Sequence, residues 1–206
     1  MKRSEERMNT IEIIKQLRSE TGAGIMECQK ALEQNGQNYD QALARLREAA
    51  VQKAGKHANR QTLDGRLELY SHNNGRIGVM VEINTETDFA GRSEVFLDFL
   101  HEIALQITAT SPLYVRDEDI PQEVLDELSC EASAKARHDG KPEKIIERIV
   151  DGVIEKYKDK FVLLRQLYLR DENVTIAQLL EQKIGQIGEN IVIRRFVRWE
   201  INPDAG

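Results

Sequence analysis

Leu67-Glu68-Leu69-Tyr70-Ser71-His72, then Asn73-Asn74-Gly75-Arg76, then Ile77-Gly78-Val79-Met80-Val81-Glu82-Ile83 is the stretch that decides the fold. Two runs of alternating apolar and polar residues flank an Asn-Gly turn signal. This arrangement makes a β-hairpin, because Asn and Gly tolerate the positive φ that a tight turn between twisted strands requires. Gly78 sits inside the second run, where missing side-chain bulk permits close approach of another element. Directly beyond comes Asn84-Thr85-Glu86-Thr87-Asp88-Phe89, and after it a helical pattern opened by Ser93 that carries Phe96, Phe99, Leu100, Ile103, Ala104 and Ile107. That near-unbroken apolar stripe is expected to cover one face of the hairpin. Thr87-Asp88-Phe89 thus falls between two rigid elements, where an exposed Phe beside an Asp can push an apolar wedge and a carboxylate into a partner. Taken alone, the tripeptide has a more ordinary reading: a capped turn with a Phe covering the sheet end.

Upstream, Met1 to Met8 is charged and lacks an apolar run, so it reads as a disordered leader rather than a signal or transit peptide. Asn9-Thr10-Ile11-Glu12 has the form of an N-cap with its capping-box acid, ahead of Ile13, Ile14 and Leu17 and a stop at Gly22. Ile25, Cys28, Ala31 and Leu32 then share a stripe at helical spacing that ends at Asn35-Gly36. Met26 and Lys30 point to the other side of that helix, as a docking surface or, more ordinarily, a solvated face. Asn38 can cap a third helix carrying Ala42, Leu43, Leu46, Ala49 and Ala50. Three short helices over residues 9–56 make a compact but marginal bundle, suited to docking when tethered to something larger. Residues 57–62 read as the linker.

Downstream, Pro121 and Pro142 each suit the first turn of a helix. The two helices, joined by Asp139-Gly140-Lys141, are expected to form a helical hairpin. The Ile145 to Ile154 stripe of the second is equally an ordinary core and a candidate subunit interface. Phe161 to Leu169 has no clean period and stays open between strand and short helix. Thr175 caps a further helix that ends near Gly188, and the β-branched run Ile191 to Ile201 makes a third strand, antiparallel beside the hairpin. The fold class is α+β: a three-helix domain, then a core over residues 63–206 of a three-stranded antiparallel sheet packed with helices and a helical hairpin.

Composition bounds the function. With 206 residues, 40% hydrophobic and 31% charged, the chain has the balance of a globular protein, and no stretch approaches the ~18 apolar residues of a membrane span. A formal net charge of −6 argues against direct, sequence-independent nucleic-acid binding, which depends on Lys and Arg releasing counterions at phosphates. Cys28 and Cys130 stand far apart without pairing or metal spacing, as expected in the cytoplasm. No phosphate-cradling Gly loop, metal-ligand spacing or nucleophile with its base is present, so no cofactor and no catalytic residue is expected.

Three motifs occur in order: Thr21 to Leu32, Val81 to Phe89, and Ile187-Gly188-Glu189-Asn190-Ile191-Val192-Ile193-Arg194-Arg195. Together they closely resemble the translation elongation factor Ts family in its short, single-core form, a likeness running from about Asn9 to Glu200. The resemblance implies a protein that is not an enzyme but a guanine nucleotide exchange factor for elongation factor Tu, acting on its GDP-bound or nucleotide-free form. It implies a ubiquitin-associated-like N-terminal domain whose Ile25, Met26 and Lys30 dock on the GTPase. It also implies an Asp88-Phe89 pair inserted near the GTPase magnesium site, with Thr87 setting the turn, and a homodimer whose second copy supplies the missing half of the duplicated long form. Gln29 departs from a Lys common in the family, which removes one cationic contact. Against this stand a peptide-capturing helical module, an RNA reader using Arg194, Arg195 and Arg198, and a hydrolase that turns over without a GTPase.

Overall fold

The computed structural model describes residues 2–201, with side chains described from Thr10 onward. Three helices come first: α1 (Lys2–Thr21), α2 (Ile25–Gln34) and α3 (Tyr39–His57). Helix α1 opens at Lys2 and not at an Asn9 cap. Lys, Arg and Glu are good helix formers, and no Gly or Pro interrupts residues 2–9, so the helix continues through the expected leader and leaves Asn9 mid-helix. Met1 and residues 202–206 lie outside the described residues.

The other caps follow the side chains. The Gly24 amide donates to Glu27 Oε2 at 3.2 Å, and Asn38 Oδ1 accepts the Gln41 amide at 3.0 Å. Leu17, Cys28, Ala31, Leu32, Ala42 and Leu46 form one buried cluster, with Ile13, Ile14, Ala23, Tyr39 and Leu43 packed on it. Ile25 was expected in that stripe but is exposed: it stands at the first position of α2, beyond the reach of the cluster.

The hairpin is β1 (Asp64–His72) and β2 (Ile77–Thr85), and its turn carries Asn73, Asn74 and Gly75 at φ +50°, +55° and +82°. Along β2 the odd positions Val79, Val81, Ile83 and Thr85 are buried while Met80 is exposed, the period of two of a sheet with one covered face. Then come α4 (Asp88–Gly91), α5 (Glu94–Thr110), α6 (Gln122–His138) and α7 (Glu143–Phe161). The last two form the helical hairpin, turned at Gly140 with φ +69°. The undecided stretch resolves into both of its alternatives, a 3-10 turn at Leu163–Arg165 followed by β3 (Leu167–Tyr168). β3 pairs antiparallel with β4 (Asp171–Thr175), a strand the periodicity did not reveal. Helix α8 (Ile176–Ile187) and β5 (Ile191–Glu200) complete the chain. The main antiparallel sheet has the order β1-β2-β5, so the hairpin's second strand is central and the C-terminal strand lies beside it, as expected.

Two compact units result. Among the described residues the first comprises 2–68, 82–102 and 178–193, and the second 69–81, 103–177 and 194–201. Besides the three-helix cluster, the first buries Ile83, Phe96, Phe99, Leu100, Ile184, Ile191 and Ile193. The second buries Val79, Val81, Ile103, Ile107, Val115, Val162, Leu163, Val174 and Ile176. Inside the second, the fully buried Gln106 has its amide satisfied at both ends. Its Nε2 donates to Leu167 O at 3.1 Å and to Gln166 Oε1 at 3.3 Å, and its Oε1 accepts the Leu169 amide at 3.1 Å. Among the described residues no helix is long and apolar enough to cross a membrane, and no cluster of His, Cys, Asp and Glu could hold a metal ion.

Candidate partner-binding site

β2 ends at the buried Thr85, whose hydroxyl donates to Thr87 O at 2.8 Å and turns the chain back on itself. Thr87 is extended, at φ −131° and ψ 153°, and caps the single turn of α4: its Oγ1 accepts the Ala90 amide at 3.3 Å. Ala90 and Gly91 face inward and are buried. Asp88 and Phe89 therefore face outward. Ser93 closes the segment, donating to Ala90 O at 2.8 Å and accepting the Phe96 amide at 3.3 Å, and so starts α5.

Phe89 is 87% exposed, the most exposed large apolar side chain among the described residues. An apolar ring of that size held in water on a rigid turn has no role in this chain's own core. Asp88 does not stand free. Arg66 Nη2 lies 3.0 Å from its Oδ1 and Arg92 Nη2 lies 2.5 Å from its Oδ2, while Arg66 Nε donates to Gly91 O at 3.1 Å. The turn thus offers a phenyl ring beside a carboxylate already oriented by two guanidinium groups.

Neighbouring Glu86 points the other way. Its Oε1 accepts the Asn190 amide at 2.6 Å and lies 3.4 Å from Arg60 Nη1 and 3.6 Å from His57 Nδ1. The Asn190 amide, aided by Arg60 against the cost of burial, holds the Glu86 carboxyl below the usual carboxylate range.

A second patch lies on α2. Met26 is 74% exposed and Ile25 54%, both in the first turn, with exposed Lys30 one turn beyond Met26. Lys53 Nζ lies 2.5 Å from Glu27 Oε1 and holds that carboxyl below its ordinary range, tying this end of α2 to α3. Gln29 donates to Glu33 Oε1 at 2.9 Å along the same helix. All six anticipated residues, Ile25, Met26, Lys30, Thr87, Asp88 and Phe89, belong to the first unit, as two patches.

Residues 9–185 match the family model described as Elongation factor TS. The chain belongs to the elongation factor Ts family. Elongation factor Ts from Coprothermobacter proteolyticus is 45% identical over 189 residues, covering 92% of this chain and 96% of that protein. The Acetivibrio thermocellus protein of the same name is 46% identical over 193 residues, covering 94% and 90%. That from Carboxydothermus hydrogenoformans is 44% identical over 194 residues, covering 94% and 89%. This near full-length coverage makes it a short, single-core member of the elongation factor Ts family. With the family comes its general function, guanine nucleotide exchange on elongation factor Tu, which makes the chain an exchange factor and not an enzyme.

The residues that support the Asp88-Phe89 turn were not legible as such. Arg66 is 22 residues away and Glu189 is 102 residues away from the residues they hold. Glu189 lies within the third motif quoted for the likeness, and that was the available signal. Arg66 carried none beyond its place at the start of the hairpin.

Proposed function

We propose that the chain promotes GDP release by presenting Phe89 and Asp88 to the magnesium-side of the elongation factor Tu nucleotide pocket while α2 docks elsewhere on the GTPase. The observation that carries this reading is the exposure of Phe89 on a one-turn helix whose every other side chain is tied down. Burying such a ring contributes about 1.5–3 kcal/mol. Ile25 and Met26 add apolar area, and Lys30 a charge, from the first helical domain. Gln29, committed to Glu33, contributes no cation there.

The mechanism is linkage. GDP with magnesium and the exchange factor prefer different arrangements of the same pocket, so each weakens binding of the other. A wedge that displaces the elements around the β-phosphate and magnesium removes charge stabilisation from the nucleotide. A loss of about 4 kcal/mol raises its Kd roughly a thousandfold, after which GTP enters by mass action. The chain's own residues act on the partner's loops and need not touch phosphate. The protein works in the cytoplasm as a homodimer, with the three-helix domain of residues 9–56 as docking module. Exposed Leu69, Met80 and Trp199, all from the main sheet and all in the second unit, support pairing with a second copy.

Release of a fluorescent GDP analogue from elongation factor Tu, followed with and without the chain, tests this. Acceleration that Phe89→Ala weakens at least tenfold is expected; equal acceleration by Phe89→Ala would remove the wedge from the mechanism.

A further inference from the structure

Glu189 stands in the turn between α8 and β5, after Gly188 at φ +81°, and the exchange reading gives it no part. Its carboxylate engages both polar groups of Thr87: Oε2 accepts the backbone amide at 3.0 Å and Oε1 accepts the hydroxyl at 2.7 Å. An ionised carboxylate only accepts, so the Thr87 hydroxyl proton is committed to Glu189. The Thr87 oxygen is then left with a lone pair for the Ala90 amide, which it caps at 3.3 Å. One acid thereby fixes the rotamer, the backbone and the capping role of the residue directly preceding Asp88.

The adjacent residue does the corresponding work on the other side. The Asn190 amide donates to Glu86 Oε1 at 2.6 Å, and its Nδ2 donates to Arg60 O at 2.9 Å and Ala58 O at 3.4 Å. Consecutive residues of one turn therefore grip Glu86 and Thr87, while Asn190 also grips the segment that leaves α3. A helix of a single turn has no cooperative stability of its own. Phe89, facing water, contributes nothing to holding it.

We infer that Glu189 is the positioning residue of the exchange turn: it holds the Thr87 cap so that Phe89 meets the GTPase already oriented. This rests on the wedge reading above. Ordering the turn in advance lowers the entropy cost otherwise met at docking, so loss of Glu189 acts on the efficiency with which Phe89 is used and not on the fold.

The test compares wild type, Glu189→Ala, Glu189→Gln, Phe89→Ala and the double variant Glu189→Ala/Phe89→Ala, reading GDP-analogue release from elongation factor Tu together with thermal melting. Glu189→Ala is expected to slow exchange about tenfold with its melting midpoint nearly unchanged, and Glu189→Gln, which keeps one acceptor oxygen for Thr87, to recover part of that loss. In the Phe89→Ala background the same Glu189→Ala change is expected to alter the rate less than about threefold, because the ring it positions is gone and only Asp88 is left on the turn. A Glu189→Ala protein that exchanges like wild type while Phe89→Ala is impaired overturns the inference and leaves the wedge standing. Full exchange by Phe89→Ala sinks the wedge reading itself. An equal loss from Glu189→Ala in both backgrounds, or a loss that tracks a fallen melting midpoint without rescue by Gln, also overturns the positioning role.

Discussion

Arg66 and Asp88 form an ion pair, Nη2 to Oδ1 at 3.0 Å, in which the same guanidinium also takes the carbonyl of Gly91 through Nε at 3.1 Å. One side chain from β1 thus grips the first and last residues of α4. Both partners are partly exposed, so the pair adds at most about 1 kcal/mol to stability. Its larger effect is on geometry. Arg66→Ala is expected to leave urea unfolding within about 1 kcal/mol of wild type yet slow GDP-analogue release several-fold. Arg66→Lys, which can keep the charge but not the bond to Gly91, should fall between. A stability loss well above that with proportionate activity loss would make Arg66 merely structural.

Gly65 provides a sharper test of the hairpin. Its φ is +151°, and a Cβ built there would lie 2.4 Å from Ile83 O and 2.7 Å from Asn84 Cα, both backbone atoms that cannot yield without parting the strands. Gly65→Ala should therefore cost about 2–3 kcal/mol, read as a lower urea midpoint at unchanged slope. An unchanged midpoint would mean the strands part here at no cost.

How much of this was legible depended on the range of the forces. The hairpin, the Asn38 and Ser93 caps and the Pro121 and Pro142 helix starts are set by residues within four positions of each other, and each is found where the pattern placed it. The start of α1 was misjudged because a cap-like Asn9 proved weaker than continuous helix propensity on both sides. β3 stayed open between strand and short helix, and its partner β4 was not read at all, because Gln106, some 60 residues upstream, supplies the bonds that hold β3. The candidate site divides the same way. The exposed Phe89 and Met26 were readable from local pattern and family likeness, whereas Arg66 and Glu189 act only after the chain has folded.

Gln106 gives that tertiary dependence a number. Gln106→Leu keeps the volume but leaves the Leu167 carbonyl and the Leu169 amide without this partner. Both bonds are only part-buried, and such a hydrogen bond contributes about 0.5–1.5 kcal/mol net, so a loss of about that size in denaturant unfolding is expected. Hydrogen exchange should show the Leu169 amide losing protection before α5 does. Unchanged protection at Leu169 would show that β3 stands without Gln106.

Pairing of two copies through the exposed sheet residues predicts a mass near twice that of one chain in sedimentation at micromolar concentration. A Leu69→Glu, Met80→Glu double variant should sediment as a monomer with its far-ultraviolet spectrum retained, since both side chains face water in the single chain. A wild-type monomer would remove the homodimer from the proposal; a dimeric variant would place its interface on another surface.

The second unit contains a pH-dependent tie. Arg165 lies 2.7 Å through Nε from Asp117 Oδ1 and 2.5 Å through Nη2 from Oδ2, and Lys158 Nζ lies 3.4 Å from Oδ2. The Arg165 bonds, joined by Lys158 and opposed by burial, hold the Asp117 carboxyl below its ordinary value of 3.8. A depressed folded-state value means the stabilisation is complete above the unfolded value and disappears as pH falls through the folded one. Asp117→Asn should thus be less stable than wild type by a constant margin between about pH 5 and 7, and the margin should shrink as pH drops below about 4. Glu155 and Asp159 also contact Arg165, at 2.6 and 3.2 Å, and remain in both proteins, so the difference between the two urea midpoints isolates Asp117. A margin that stays constant down to about pH 2.5, or one that grows on acidification, would mean that the ion pair is not formed in solution.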